Sequence, residues 1–138
     1  MDKKTFRIST KGHTDIINIT PQVSQIVKEA QISEGLCLIS CPGSTCGLTT
    51  IEYEEGVISD LKRILDKIVP ANTNYEHCKK WGDCNGYAHI RSAIIQPFLV
   101  VPIAQGELYL GPWQQIVFID FDNRPREREI KITISKAI

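Results

Sequence analysis

With 138 residues, 42% of them hydrophobic and 23% charged, the chain has the size and composition of one globular domain with its own core. Sixteen Lys and Arg balance sixteen Asp and Glu, which leaves no net field to draw nucleic acid or a membrane surface. No apolar leader opens the sequence, and the longest apolar run, Ile94 to Ala104, is interrupted by Gln96, Pro97 and Pro102. A cytoplasmic protein is therefore expected, and its five cysteines argue against a disulfide framework.

In chain order, Phe6 to Ser9 and Asp15 to Ile19 alternate as strands around a Lys11-Gly12 turn. Thr20 is placed as an N-cap with Pro21 at the first helical position. Val23, Ile26, Val27 and Ala30 follow at helical spacing, and Gly35 ends the element. Leu36 to Ser40 reads as a short strand broken by Cys41-Pro42-Gly43, and Leu48 to Tyr53 resumes an extended pattern. A second helix follows from the apolar stripe Val57, Ile58, Leu61, Ile64, Leu65 and Ile68, stopped by Pro70. The stretch YEHCKKWGDCNGYAHIR, residues 75 to 91, is expected to be a loop entering a short helix near Gly86. Strands are then predicted over Phe98–Ile103, Leu108–Leu110, Gln114–Asp122 and Glu127–Ile134, with turns at 104–107 and 123–125. The sum is a single α+β domain over residues 1–138, two main helices against a mostly antiparallel sheet or sandwich.

The strand at Gln114 is apolar on both alternating faces, with Ile116 and Phe118 on one and Val117, Ile119 and Phe121 on the other. Either it lies in the middle of a sandwich, or a subunit interface covers its second face.

Several stretches carry possible chemistry. Pro42-Gly43-Ser44-Thr45-Cys46-Gly47 suits a tight turn, either a plain β-turn or one whose N–H groups meet an anion. Glu52 shares a strand face with Thr50, where a carboxylate can meet a metal, a cationic ligand or an arginine. Glu54 and Glu55 suit the positive end of the helix that follows. Arg124, Arg126 and Arg128 share the face of Ile130, Ile132 and Ile134. They either pair across the hairpin with Asp120 or Asp122 or clamp a phosphate or carboxylate. Cys78 and Cys84 are too far apart in sequence for a zinc module and are expected to pack as small apolar groups. His77 and His89, flanking Trp81, Asp83, Asn85 and Tyr87, are the candidate proton carriers.

Taken together, GSTCGLTTIEYEEGVISDL, IVPANTNYEH, NGYAHIRSAI and LYLGPWQQIVFIDFDNRPR resemble the YjbQ-like family, a group associated in part with secondary thiamine-phosphate synthase activity. The resemblance implies a compact α+β subunit in a homotrimer, with a polar pocket carried by Thr45, Asp60, His77, His89, Trp113, Gln114 and Arg126. It also implies a reaction joining a pyrimidine diphosphate to a thiazole phosphate. In that reading His77 and His89 manage the proton. Arg91, Arg126 and a divalent metal, Mg or Zn, on Glu52 or Asp60 receive the leaving diphosphate. The pocket is expected to be closed by Trp113 and the Ser44-Thr45 turn, with Glu52 pointing in and Cys78 and Cys84 outside. Ser44 stands where the family commonly has His, so a three-histidine zinc site does not transfer; His77, His89 and Glu52 are the remaining set. The alternative is a homotrimer that binds an anion or a metal without turnover.

Overall fold

A computed structural model describes residues 1–137, and the fold is α+β. In chain order the elements are β1 (Asp2–Thr10), β2 (Asp15–Asn18), α1 (Thr20–Ala30), β3 (Gly35–Ser40), β4 (Cys46–Glu52), α2 (Glu55–Ile68) and α3 (Glu76–Trp81). Then come α4 (Gly86–Ile95), β5 (Phe98–Ala104), β6 (Glu107–Leu108), β7 (Gln114–Asp120) and β8 (Arg126–Lys136). Five strands pair in the order β1-β8-β3-β5-β6, and three in the order β2-β7-β4. Every pairing is antiparallel.

The turn after β1 moves the chain from the larger sheet to the smaller one. Gly12 has φ +71°, and a Cβ there would lie 2.3 Å from the Arg124 carbonyl oxygen, so only glycine fits against the β7–β8 corner. His13 and Thr14 are also left-handed and donate their N–H groups to the carbonyls of Asp122 and Asp120. This ties the turn to the segment on which the polar site is built.

Two apolar layers follow from the alternation of the strands. Ile39, Val101, Ile132 and Ile134 of the larger sheet meet Leu48, Ile116 and Phe118 of the smaller, with Val23 and Val27 of α1 closing that layer. On the other side of the small sheet, Val117, Ile119 and Phe121 meet Leu65 of α2, Val69, and Tyr87 and Ala88 of α4. Both faces of β7 are therefore covered inside one chain. Ile116 to Ile119 are all 0% exposed. Of the two readings of its double apolar face, the strand in the middle of a sandwich is the one found, and no subunit interface is needed to cover the second face because the helices already occupy it.

The helices also depart from expectation. Thr20 does not cap α1; its hydroxyl instead accepts the Ile116 N–H at 2.8 Å, and the cap position is Ile19. The Glu54 carboxylate accepts the N–H groups of Gly56 and Val57, a charged cap at the positive end of α2. Residues 76–81, expected to be loop, form α3, a short helix with no buried residue. Among the described residues no helix is long and apolar enough to cross a membrane.

The outer face of the larger sheet has two unlike halves. Alternation on β1 and β8 turns Thr5, Arg7, Glu129 and Lys131 outward, while on β3 and β5 it turns out Leu36, Leu38, Phe98, Val100 and Pro102. Leu36, Phe98 and Val100 are about half exposed, at 51%, 50% and 51%.

Candidate functional site

The Pro42–Thr45 turn, the start of α4 and the β7–β8 corner surround a polar cleft of about 400 Å³. Ser44, Thr45, Asn85, His89, Asp122 and the three arginines Arg124, Arg126 and Arg128 line it. A larger hollow of about 530 Å³, beside Leu36, Pro102, Ile103 and Tyr109, holds none of these histidine or arginine side chains.

The floor of the cleft is a buried network of charges. Asp120 is 0% exposed and takes Arg128 in a two-pronged contact, Nε to Oδ2 at 2.8 Å and Nη2 to Oδ1 at 2.9 Å. Thr10 Oγ1 and the Asp122 N–H also donate to this carboxylate, at 2.7 and 3.0 Å. Burial pushes the Asp120 carboxyl up, but the hydrogen bonds from Arg128, Thr10 and the Asp122 N–H outweigh it and hold the group below the usual carboxylate value. Asp122 accepts from Asn85 Nδ2, Thr45 Oγ1, the Asn123 N–H and Arg126 Nη1, the last at 2.7 Å. Its burial is offset in the same way, and it too is held low. Thr45 links the halves, because its hydroxyl accepts Arg128 Nη2 at 2.8 Å and donates to Asp122 at 3.2 Å.

The pairing expected for the arginines thus exists, and it does not exhaust them. Arg126 keeps donors beyond the one given to Asp122. Arg124 is exposed and has no carboxylate partner among the described residues. Arg128 Nη1 lies 3.0 Å from where a Cβ on Gly43 would be, so a side chain on the turn would press on the guanidinium. These free edges face a cleft with hydroxyls at Ser44 and Thr45, a chemistry suited to an oxyanion.

His89 lines the cleft opposite the arginines, and His77, expected to share the pocket, packs against His89 from α3 without lining it. His77 on α3 and His89 on α4 have ring centroids 4.4 Å apart, tilted by 54°. Burial, and next the neighbouring His77, lower the His89 pKa, which favours its neutral, proton-accepting form. His77 Nε2 is buried and lies 3.4 Å from Asp83 Oδ1, without a well-aligned hydrogen bond to it. Asn85 is 8% exposed, and its Oδ1 has no partner although its Nδ2 is held by Asp122. The cleft therefore presents an unpaired acceptor next to its cationic wall.

Other expected site residues fall elsewhere. Arg91 is 1% exposed and gives Nε and Nη2 to the Val69 carbonyl, Nη1 to Thr14 Oγ1 and Nη2 to Asp66. Its guanidinium lies 5.1 Å from the Tyr87 ring centroid, in the interior, and it does not line the cleft. Asp60 is exposed on α2 and pairs with Arg63. Glu52 and Trp113 meet in a separate hollow of about 380 Å³ with Tyr53 and Glu54, so within one chain neither closes the histidine cleft. Gln114 is held by Thr50 Oγ1 and the Gly111 N–H. Among the described residues no three His, Cys, Asp or Glu side chains stand where they could share a metal ion. The His77, His89 and Glu52 set, with Asp60, is thus not assembled in one chain, because Glu52 and Asp60 belong to other surfaces.

Sequence reading missed Asp120, Asp122 and Asn85 as parts of the site. The carboxylates were legible only as salt-bridge partners. Asn85 carried no signal beyond its place beside the histidines. Cys78 is half-buried and Cys84 exposed, so neither packs as a core group.

This architecture has relatives. The chain is 35% identical over 123 residues to a UPF0047 protein of Archaeoglobus fulgidus, covering 89% of this chain and 93% of that one. It is also 35% identical over 127 residues to the UPF0047 protein YugU of Bacillus subtilis, covering 91% and 92%. Among solved structures, an uncharacterized conserved protein of the YjbQ/UPF0047 family from Clostridium acetobutylicum superposes with a TM-score of 0.87 at 31% identity, over 96% of this chain and 99% of that one. A YbjQ-like protein from Sulfolobus solfataricus reaches 0.92 at 28% identity, over 99% and 97%. The family described as UPF0047 protein YjbQ-like matches residues 4–137, and with these likenesses the chain belongs to that family.

Proposed function

We propose that the cleft binds a small oxyanion-bearing molecule, a phosphate or diphosphate ester, and that His89 moves a proton in a reaction on it. The observation that carries this reading is the convergence of Arg124, Arg126 and Arg128 with His89 on one cleft of about 400 Å³, around the Ser44-Thr45 turn. Free guanidinium edges stabilise charge that accumulates on a leaving phosphate, and those of Arg126 and Arg128 are already fixed by the Asp122 and Asp120 carboxylates. The joining of a pyrimidine diphosphate to a thiazole phosphate is the most specific form of this reading. The arginine wall supports it. The second reading is the same cleft holding an anion without turnover, favoured by the extensive pairing of Arg126 and Arg128 with structural carboxylates.

Phosphorus NMR of purified protein with the two substrates separates these readings. New phosphorus resonances for the product and for free diphosphate support the enzyme. Binding without new resonances supports the second reading, and no binding removes both.

The assembly belongs to the same proposal. We place the homotrimer contact on the outer face of β3 and β5, where Leu36, Phe98 and Val100 form an apolar band beside a charged half-sheet. Light scattering checks it, and a 15.5 kDa particle at micromolar concentration would remove it.

A further inference from the structure

The cationic wall of the cleft is largely compensated from within the chain. Asp120 holds Arg128 at 2.8 Å, and Asp122 holds Arg126 at 2.7 Å. Of the charged groups that line the cleft, this leaves Arg124 with no carboxylate partner and Asp83 with no Lys or Arg partner among the described residues. The Asp83 side chain is 51% exposed and approaches only His77 Nε2, at 3.4 Å and without a well-aligned hydrogen bond. Its backbone carbonyl accepts Asn123 Nδ2 at 2.8 Å, which moors Asp83 to the residue next to Arg124. The free cation and the free anion therefore stand at one corner of the cleft.

Asn85 adds a second acceptor. Its Nδ2 donates to Asp122 Oδ1 at 3.2 Å, and Arg126 Nη1 donates to Oδ2 of the same carboxylate at 2.7 Å. The amide and the guanidinium thus grip different oxygens of one carboxylate, and that bond fixes which way the amide points. Asn85 is 8% exposed, it lines the cleft, and its Oδ1 has no partner. A buried acceptor left without a donor is a standing cost that an N–H on a ligand removes. His89, lowered by burial and next by His77, is a third acceptor in its neutral form. A simple oxyanion answers only the arginines. It offers no donor to Asn85, and it meets Asp83 with like charge.

We propose that the ligand of this cleft carries an amine as well as an oxyanion. It is an amine-bearing phosphate ester whose phosphate lies on the arginines and the Ser44-Thr45 turn while its N–H groups meet the Asp83 carboxylate and Asn85 Oδ1. This rests on the cleft being an oxyanion site and narrows the class of molecule that the site takes. The protonated amine supplies what the chain leaves out, a cation for Asp83 and a donor for Asn85. It also makes discrimination steep. An analogue that fills the same space without an N–H leaves the Asn85 acceptor dry, and a site built to pair a polar group rejects such a molecule far more strongly than it rejects a change of size. Because Arg126 and Asn85 share Asp122, the two ends of the ligand are held at a fixed separation.

The test compares 2-aminoethyl phosphate with propyl phosphate, which matches it in length and lacks the amine, by calorimetric titration of the full chain. The aminoethyl ester is expected to bind about tenfold more tightly, the gain from satisfying one buried acceptor beside a half-exposed charge. That preference is expected to fall about threefold in Asp83→Asn and about threefold in Asn85→Ala. Propyl phosphate is measured on each variant as the reference, so any loosening of Asp122 cancels in the ratio. A preference below about twofold in the parent chain, or one that either variant leaves intact, overturns the proposal while the oxyanion reading stands. Binding of inorganic phosphate but of neither ester overturns it as well. Binding of none of the three removes the oxyanion reading and this proposal together.

Discussion

Replacing Arg91 with alanine separates a framework role from a catalytic one. The side chain is 1% exposed and supplies every side-chain hydrogen bond recorded to the Val69 carbonyl, together with the partner of Thr14 Oγ1. Removing it strands a buried carbonyl and a buried hydroxyl, at about 1–3 kcal/mol for each unsatisfied group. The Asp66 contact adds little, since that carboxylate is 70% exposed. The packing of the guanidinium on Tyr87 is lost as well. The expected total is about 3–5 kcal/mol, a large share of the roughly 5–15 kcal/mol that holds a domain of this size folded. Melting should fall by about 10–20 °C, and the urea midpoint with it. Phosphate affinity, measured at a temperature where the variant is still folded, should change less than about twofold, because Arg91 does not face the cleft. A variant that melts within about 2 °C of the parent while losing phosphate binding would refute the framework role and restore Arg91 to the site.

The remaining predictions concern pH, the histidine and the sheet. Asp120 and Asp122 are held below the ordinary carboxylate value in the folded chain, so the unfolded chain takes up protons first as the pH falls. Their stabilisation is full above about pH 4 and is lost as the pH drops through the folded-state values, so the urea midpoint should fall steeply there; a flat profile to about pH 2 contradicts the network. His89 is lowered by burial and by His77, and a bound oxyanion should raise it again, seen as a later titration of its ring resonances; an unchanged midpoint at saturating phosphate places the anion elsewhere. Val117→Asp should unfold the chain, since Val117 is 0% exposed between the small sheet and the helices, whereas Val100→Glu should leave a folded particle of lower mass; the reverse pattern would move the interface back to β7.

The framework was legible because period and punctuation are local. The stripe of α2, the Cys41-Pro42-Gly43 break and the alternation of β7 each act within a few residues, and each is found where expected. The double apolar face of β7 showed that two layers must cover it, but not that α2 and α4 supply the second. That choice depends on contacts far apart in sequence. Residues 75–85 misled for a different reason, since α3 buries nothing and so leaves no apolar period to read. At the site, the histidine pair and the arginine strand were legible as residue types in suggestive places. Arg91 was misread because a buried guanidinium and a functional one look alike until the Val69 carbonyl and Thr14 hydroxyl are seen around it. Glu52 was misread because a strand face says which residues are neighbours and not which surface they meet.

The central claim is that the cleft around Ser44, Thr45, His89 and Arg126 receives an oxyanion. Amide NMR during titration with inorganic phosphate and diphosphate tests it most directly. The account predicts saturable shifts concentrated at Ser44, Thr45, His89 and the 122–126 corner, weakened about tenfold or more in Arg126→Ala, the loss expected when a charge-assisted contact is removed. Shifts that gather instead around Glu52 and Trp113, or no saturable shifts at all, would contradict it.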